Sequence, residues 1–222
     1  MFIAFDGIDG SGKSTILDRL MIDLKNKEYE VSLLDFGGGS IFKQILREIR
    51  ANKNTLPRIR EMVFYFEGLH TYINDIKPFR SDKNKILIID RYLLTYYVYG
   101  QLNGMNKEDI LFFTKNIEEP DLYFYLDNEP DVALDRVLKS RDYINPAETG
   151  YSEYYHSKEN FDAITKERKI DMFLKYQAKA TELYRNEFNS LKSDKLLVDS
   201  TKNPEEVYRN VMEKIQQYLC NL

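Results

Sequence analysis

The sequence predicts an α/β fold in which a parallel β-sheet is wrapped on both faces by helices. Two observations carry this. Short, wholly apolar runs recur at residues 2–5, 86–89 and 122–126, the signature of strands buried on both faces. Between them lie stretches whose apolar residues fall three and four apart, the period of a helix with one core-facing side. Short strands alternating with helices join most simply into a parallel sheet covered on both faces.

Taken in order, residues 2–5 form the first strand and stop at Asp6-Gly7. A helix follows, with Ile16, Leu17, Leu20, Ile22 and Leu24 expected to cover a broad core face. Residues 31–36 read as a second strand closed by Gly37-Gly38-Gly39, after which Ser40 is placed to cap a helix running to about Arg50. A further helical stretch opens near Pro57, carries Ile59, Met62, Val63, Phe66, Leu69 and Ile73, and is expected to break at Pro78. Residues 86–89 are the third strand, ending at Asp90-Arg91, and helix resumes over roughly 95–115. The fourth strand is 122–126, followed by a helix over 131–141, a loop over 143–157 and a long amphipathic helix over about 159–189. Residues 195–198 make a short fifth strand, and Pro204 opens a C-terminal helix.

The 222 residues contain no repeat, low-complexity tract or Gly/Ser linker, so residues 1–222 are expected to form a single domain. The composition, 43% hydrophobic and 31% charged, supports a sizeable core. A net charge of −4 argues against a protein that grips a nucleic acid polymer through bulk basicity. No apolar run exceeds about five residues, against the roughly 20 of a membrane span. One cysteine and two histidines exclude an internal disulfide and make a metal site built on those residues unexpected. The opening residues lack a basic, signal-like segment, so the expected location is cytoplasmic.

Gly7-Ile8-Asp9-Gly10-Ser11-Gly12-Lys13-Ser14, followed by Thr15, satisfies the phosphate-loop pattern: two glycines separated by four residues, then Lys and Ser/Thr. It lies where the pattern requires, after the first strand and before the first helix. Glycines let successive backbone N–H groups converge on an anion, and the helix N-terminus adds positive potential. Lys13 then bridges terminal phosphates, and Ser14 is placed to ligate Mg²⁺. The motif alone suits a GTPase, an ATPase, a kinase or a transport engine. The guanine-reading Asn-Lys-x-Asp of a GTPase is missing from the fourth strand end, which reads Leu126-Asp127-Asn128-Glu129. In a parallel sheet ligands gather at the carboxyl ends of strands, where Asp9, residues 37–40 and Asp90-Arg91 all fall. Asp6 and Asp127 read as carboxylates serving strand ends.

With these motifs in place the chain resembles the thymidylate kinase family of nucleoside monophosphate kinases. The likeness rests on Phe5-Asp6-Gly7 through Thr15, on Asp90-Arg91-Tyr92 after the third strand, on Pro120-Asp121-Leu122 leading to Asp127, on residues 130–136, and on Leu197-Val198-Asp199-Ser200 before Pro204. The resemblance implies a three-layer P-loop fold with a five-stranded parallel sheet and a helical lid over about 136–157. It also implies transfer of the γ-phosphoryl of ATP, with Mg²⁺, to a small phosphorylated acceptor, thymidine monophosphate (dTMP) first among them. ATP would be held by Gly7, Asp9, Gly10, Ser11, Gly12, Lys13, Ser14 and Thr15, with Arg136 and Lys139 from the lid; Ser14 and Asp90 would serve the metal. Arg91 would hold the acceptor phosphate, and Asp9 would accept from the acceptor sugar. Phe36 and Phe64 belong to the implied acceptor site, Phe64 being either a base-stacking ring or one more core aromatic; beside them Tyr99 is a candidate that either lines this site or packs a helix, and Gln101 a candidate to reach a base. Some members carry an arginine where this chain has Gly10; members without it place basic residues in the lid. Arg136 and Arg141 then stabilise the transferring charge, unless, with Lys139, they are only a solvated helix face. Two family arginines are absent from the acceptor half: Gly68 stands where one would read the base, and Gly37-Gly38-Gly39 where one would hold phosphate. A related kinase with another acceptor (a different nucleotide, a deoxynucleoside or a non-nucleotide) and a catalytically silent ATP-binding regulator therefore stay open at this point. The family also implies a homodimer through helices near 60–80 and 95–115.

Overall fold

The computed structural model describes residues 1–35, 57–80, 85–151 and 161–220. The expected five strands form one sheet: β1 (Phe2–Asp6), β2 (Glu30–Asp35), β3 (Lys85–Asp90), β4 (Leu122–Asp127) and β5 (Asp194–Asp199), all parallel, in the order β2-β3-β1-β4-β5. β1 is central, and all five of its residues are buried. Its register sets Phe5 opposite Asp90 of β3 and Asp6 opposite Tyr125 of β4. The strand reading was right in number and place; Phe36, its last expected residue on β2, lies outside the described residues.

Seven helices of two or more turns stand among the described residues: α1 (Lys13–Asn26), α2 (Pro57–Thr71), α3 (Leu93–Leu102), α4 (Lys107–Thr114), α5 (Pro130–Arg141), α6 (Lys166–Ser190) and α7 (Pro204–Cys220). Alternate strand residues point to opposite faces, which divides the core in two. Ile3, Phe5, Ile86, Ile88, Leu122 and Phe124 pack with α1 and α7, and Phe124 stacks on Phe5 with ring centroids 4.7 Å apart. Phe2, Ala4, Leu87, Ile89, Tyr123 and Tyr125 face α3 and α6, where Tyr125 stacks on Tyr184 at 5.3 Å. Three layers result.

The departures from the sequence reading are local and have physical causes. The single helix expected over 95–115 is two, because Gly104 takes a left-handed turn (φ 86°) and the Asn106 side chain caps a new start by accepting from the Asp109 N–H at 2.7 Å. Pro78 does not end its helix: α2 widens into a π-turn at Tyr72–Ile76 and runs one more turn to Arg80, the looser hydrogen bonding accommodating a ring that clashes in a regular helix. The loop at 143–157 contains a 3₁₀ turn, Pro146–Thr149, held by a reciprocal capping box between Asn145 and Glu148. α6 begins at Lys166, where the Thr165 hydroxyl accepts from Arg168 N–H, instead of near 159. Ile22, counted as core, is 60% exposed, since two steps of 100° from buried Leu20 turn it to solvent. The helix expected over 40–50 lies outside the described residues.

Candidate active site

The loop after β1 is shaped by its glycines. Gly10 has φ 80°, and a Cβ there would overlap the backbone carbonyl of Ala133 on α5. Gly12 has φ 90° and immediately precedes α1. Both conformations suit glycine alone. α1 therefore starts at Lys13 with its N-terminus aimed at the loop, ready for an anion. The Lys13 side chain is buried, and its Nζ donates to the carbonyls of Gly7 at 3.0 Å and Ile8 at 3.4 Å. Burial lowers its pKa to about 8; the Arg91 charge adds to this, while Asp90, Asp9 and Asp6 oppose it. The Ser11 hydroxyl is buried and has no hydrogen-bond partner among the described residues.

β3 delivers its own end to the same place. The Arg91 N–H donates to the carbonyl of Phe5 at 2.8 Å, extending the β1–β3 ladder by one step. Arg91 then turns left-handed (φ 72°), a conformation costing a non-glycine residue about 1–2 kcal/mol. Its guanidinium pairs with the Asp9 carboxylate and donates to the Gly7 carbonyl at 3.3 Å. Burial works against its charge, yet Asp9 leads the groups that outweigh burial and raise its pKa. Tyr99 of α3 sets its ring 5.9 Å from this guanidinium, and Tyr176 of α6 stands 6.4 Å from Tyr99, ring to ring. Burial and the Asp9 charge push the Tyr176 hydroxyl up to about 12, so it remains a neutral donor. The Oδ1 of Asp90 is buried and has no partner among the described residues.

A cavity of about 640 Å³ opens over these groups, lined by the loop from Asp9 to Thr15, by Asp90 and Arg91, and by Arg136, Arg141, Glu148, Ser200 and Lys202. Arg136 bridges two walls, donating to the carbonyls of Ser200 at 2.7 Å and Ser11 at 3.4 Å. Arg141 is ion-paired with the buried Glu148 carboxylate, whose other oxygen accepts from the Asn145 N–H at 2.9 Å.

Not every expected residue comes to the cavity. Lys139 is 75% exposed and pairs with Asp135 one turn away, on the solvated face of α5. Gln101 donates to Glu187 of α6 at 3.0 Å and to the Tyr97 carbonyl at 2.9 Å, so its amide is engaged in packing α3 against α6. Phe64 falls on α2, its side chain outside the described residues, as is Phe36 altogether. Gly68 has a structural account: a Cβ there would overlap the Tyr96 hydroxyl, so the glycine lets α2 and α3 approach. The sequence reading missed Glu148, Tyr176, Ser200 and Lys202. Of these Glu148 carried a signal in the Asn145-Pro146-x-Glu148 capping pattern, and Ser200 lay in the stretch Leu197-Val198-Asp199-Ser200 without being read as a site residue.

A model of the family described as thymidylate kinase matches residues 5–211. The chain belongs to the thymidylate kinase family. Among its curated relatives, thymidylate kinase of Acholeplasma laidlawii is 25% identical over 99% of this chain and all of its own length. Those of Aster yellows witches'-broom phytoplasma and Thermosipho africanus are 28% and 27% identical, each covering at least 97% of both chains. Family membership accounts for the three-layer fold and the occupied positions of the loop.

The lowered Lys13 pKa yields a measurable consequence. An anionic phosphate raises the pKa of the lysine that holds it, so at pH 8–9 binding must take up a proton, and affinity must fall as pH rises through about 8. Calorimetric titration with inorganic pyrophosphate at pH 8.5, in buffers of different ionisation heat, should show net uptake that Lys13→Met removes. A heat independent of buffer would contradict the assignment of Lys13.

Proposed function

We propose that the chain transfers the γ-phosphoryl group of Mg-ATP to dTMP, giving ADP and the diphosphate. The observation that carries this reading is the convergence of Lys13, Asp90 and the Asp9–Arg91 pair on one cavity at the joined ends of β1 and β3. The curated relatives named thymidylate kinase support the choice of acceptor.

Chemically, a monophosphate dianion needs no general base, because its second pKa near 6 leaves the attacking oxygen deprotonated at pH 7. That oxygen bonds to the γ-phosphorus as the bond to the ADP oxygen breaks, so the protein's task is positioning and charge stabilisation. The loop N–H groups and Lys13 hold the donor phosphates. Arg91 holds the acceptor phosphate in line, and Asp9, which fixes Arg91, accepts from the acceptor sugar. Arg136, already against the loop, and Arg141, on the cavity wall, stabilise the equatorial charge. The Oδ1 of Asp90, buried and without a partner among the described residues, and the Ser14 hydroxyl at the head of α1 are hard oxygen donors that suit Mg²⁺, and these two residues would hold it. When bound, the ion neutralises charge on the donor phosphates. Tyr99 and Tyr176 supply an aromatic wall beside Arg91. A cytoplasmic setting, where ATP is supplied, belongs to the same proposal.

A homodimer belongs to the same proposal. Met62, Phe66 and Ile73 along α2 and its extension, and Leu111 and Phe112 on α4, are each between 39% and 61% exposed. The two helices touch through Phe66 and Phe113, at 6.3 Å between rings, so these side chains belong to one surface, of the kind that marks an interface. Replacing Phe66 and Phe112 with Asp should convert a dimer to a monomer in sedimentation at micromolar concentration; an unaltered chain that sediments as a monomer contradicts the dimer.

Release of ADP from Mg-ATP over a panel of acceptors tests the reaction itself. dTMP should turn over fastest, and Lys13→Ala should lower turnover by at least about 10²-fold with the fold intact by circular dichroism. Preference for another acceptor defeats the substrate reading, and ATP binding with no turnover on any acceptor defeats the transfer reading.

A further inference from the structure

Asp6 closes β1 directly beneath the phosphate loop and is wholly buried. The groups around it are donors. The Tyr92 N–H at 3.0 Å and the Tyr123 hydroxyl at 2.5 Å reach its Oδ2, and the Thr95 hydroxyl at 2.5 Å reaches its Oδ1. The Tyr184 hydroxyl lies 3.4 Å from Oδ1 and 3.1 Å from the Thr95 oxygen. Tyr123 is itself an acceptor, taking the Leu94 N–H at 3.0 Å, which leaves its own hydrogen for Asp6. The carboxylate thus gathers β1, β4, α3 and α6 at one point.

The two backbone N–H groups in this set belong to the start of α3. Tyr92 precedes its first residue and offers no side-chain cap. A helix start so buried needs acceptors for its free N–H groups, and Asp6 supplies them, directly at Tyr92 and through the Tyr123 hydroxyl at Leu94. Arg91 stands immediately before this capped start, in its left-handed turn. Its own N–H is fixed on Phe5, and the next N–H along the chain is fixed on Asp6, the neighbouring residue of β1. Two successive N–H groups held by two successive residues of one strand leave the turn between them little freedom, and its direction carries the guanidinium over the loop to Asp9.

We infer that Asp6 is a positioning residue for the transfer: by capping α3 it holds Arg91 in the turn that presents its guanidinium to the acceptor phosphate. This rests on the proposed role of Arg91 and extends it to a carboxylate that touches no substrate. Toward the donor side Asp6 acts on Lys13 through its charge alone, the least of the three carboxylates named there, while Lys13, Ser14 and the loop N–H groups are set by α1.

Asp6→Ala, Asp6→Asn and Tyr123→Phe test this through acceptor KM, ATP dissociation constant and amide exchange over residues 90–95. Asp6→Ala should raise the acceptor KM about tenfold and speed exchange at Tyr92 and Leu94 at least about tenfold, while ATP affinity stays within about twofold. Asp6→Asn should recover most of the loss, because its amide oxygen still accepts from Tyr92 and Tyr123 while the Thr95 hydroxyl turns to accept from the new NH₂. If Asp6→Ala fails to fold, Tyr123→Phe, which deletes one oxygen, should free Leu94 and raise the acceptor KM several-fold. Unchanged exchange at these amides overturns the inference, as does an ATP affinity that falls in step with acceptor affinity. A wild-type chain inactive on dTMP defeats the function proposed above, and the exchange rates still decide whether Asp6 holds the Arg91 turn.

Discussion

The parallel pairing of β1 with β3 is the constraint from which the rest of the site follows. With Phe5 opposite Asp90, two chain segments leave the sheet side by side at the same height. One becomes the glycine loop and runs into α1; the other becomes the Arg91 turn and runs into α3. The ladder places them, and the Asp9–Arg91 ion pair then ties the two exits together. A sheet order with another strand between β1 and β3 would put Lys13 and Arg91 on separate clefts.

Electrostatics at this junction is arranged against stability. Lys13 is a buried cation whose charge is discouraged by burial and by Arg91, and Asp90, Asp9 and Asp6 offset this only in part. Such a cluster is costly in a protein interior, and a left-handed arginine adds strain. The arrangement is intelligible as a site prepared for phosphate charge, which would satisfy the lysine, the loop N–H groups and α1's N-terminus together. Glu148 plays a parallel part at the far wall, where its buried carboxylate holds Arg141 at the cavity edge while its second oxygen closes a 3₁₀ turn.

What the sequence made legible follows from range. The apolar runs, the loop and the Asp90-Arg91 step are encoded within a few consecutive residues, and each was readable in place. The α3–α4 break was hidden because Asn103-Gly104 interrupts a helix without interrupting its apolar period. Ser200 and Lys202 reach the cavity from the segment after β5, and Tyr176 of α6 stands beside Tyr99, all far along the chain from Arg91; nothing local in the sequence ties Tyr176 or Lys202 to the site. Gly68 shows the reverse case. Its sequence neighbourhood points to the acceptor, whereas its packing against Tyr96 explains why a side chain is excluded. The same close approach of α2 and α3 bears on the arginine expected there from the resemblance: no side chain fits at 68 while Tyr96 stands opposite.

The central claim is that the two strand exits act as one device through Asp9 and Arg91. A double-mutant cycle on kcat/KM for the phosphorylated acceptor, using Asp9→Asn, Arg91→Lys and the pair together, measures this directly. The account predicts strong coupling, at least about 1 kcal/mol, with the double variant little worse than the more damaged single one. Losses that simply multiply would show that the two residues act independently and would contradict it.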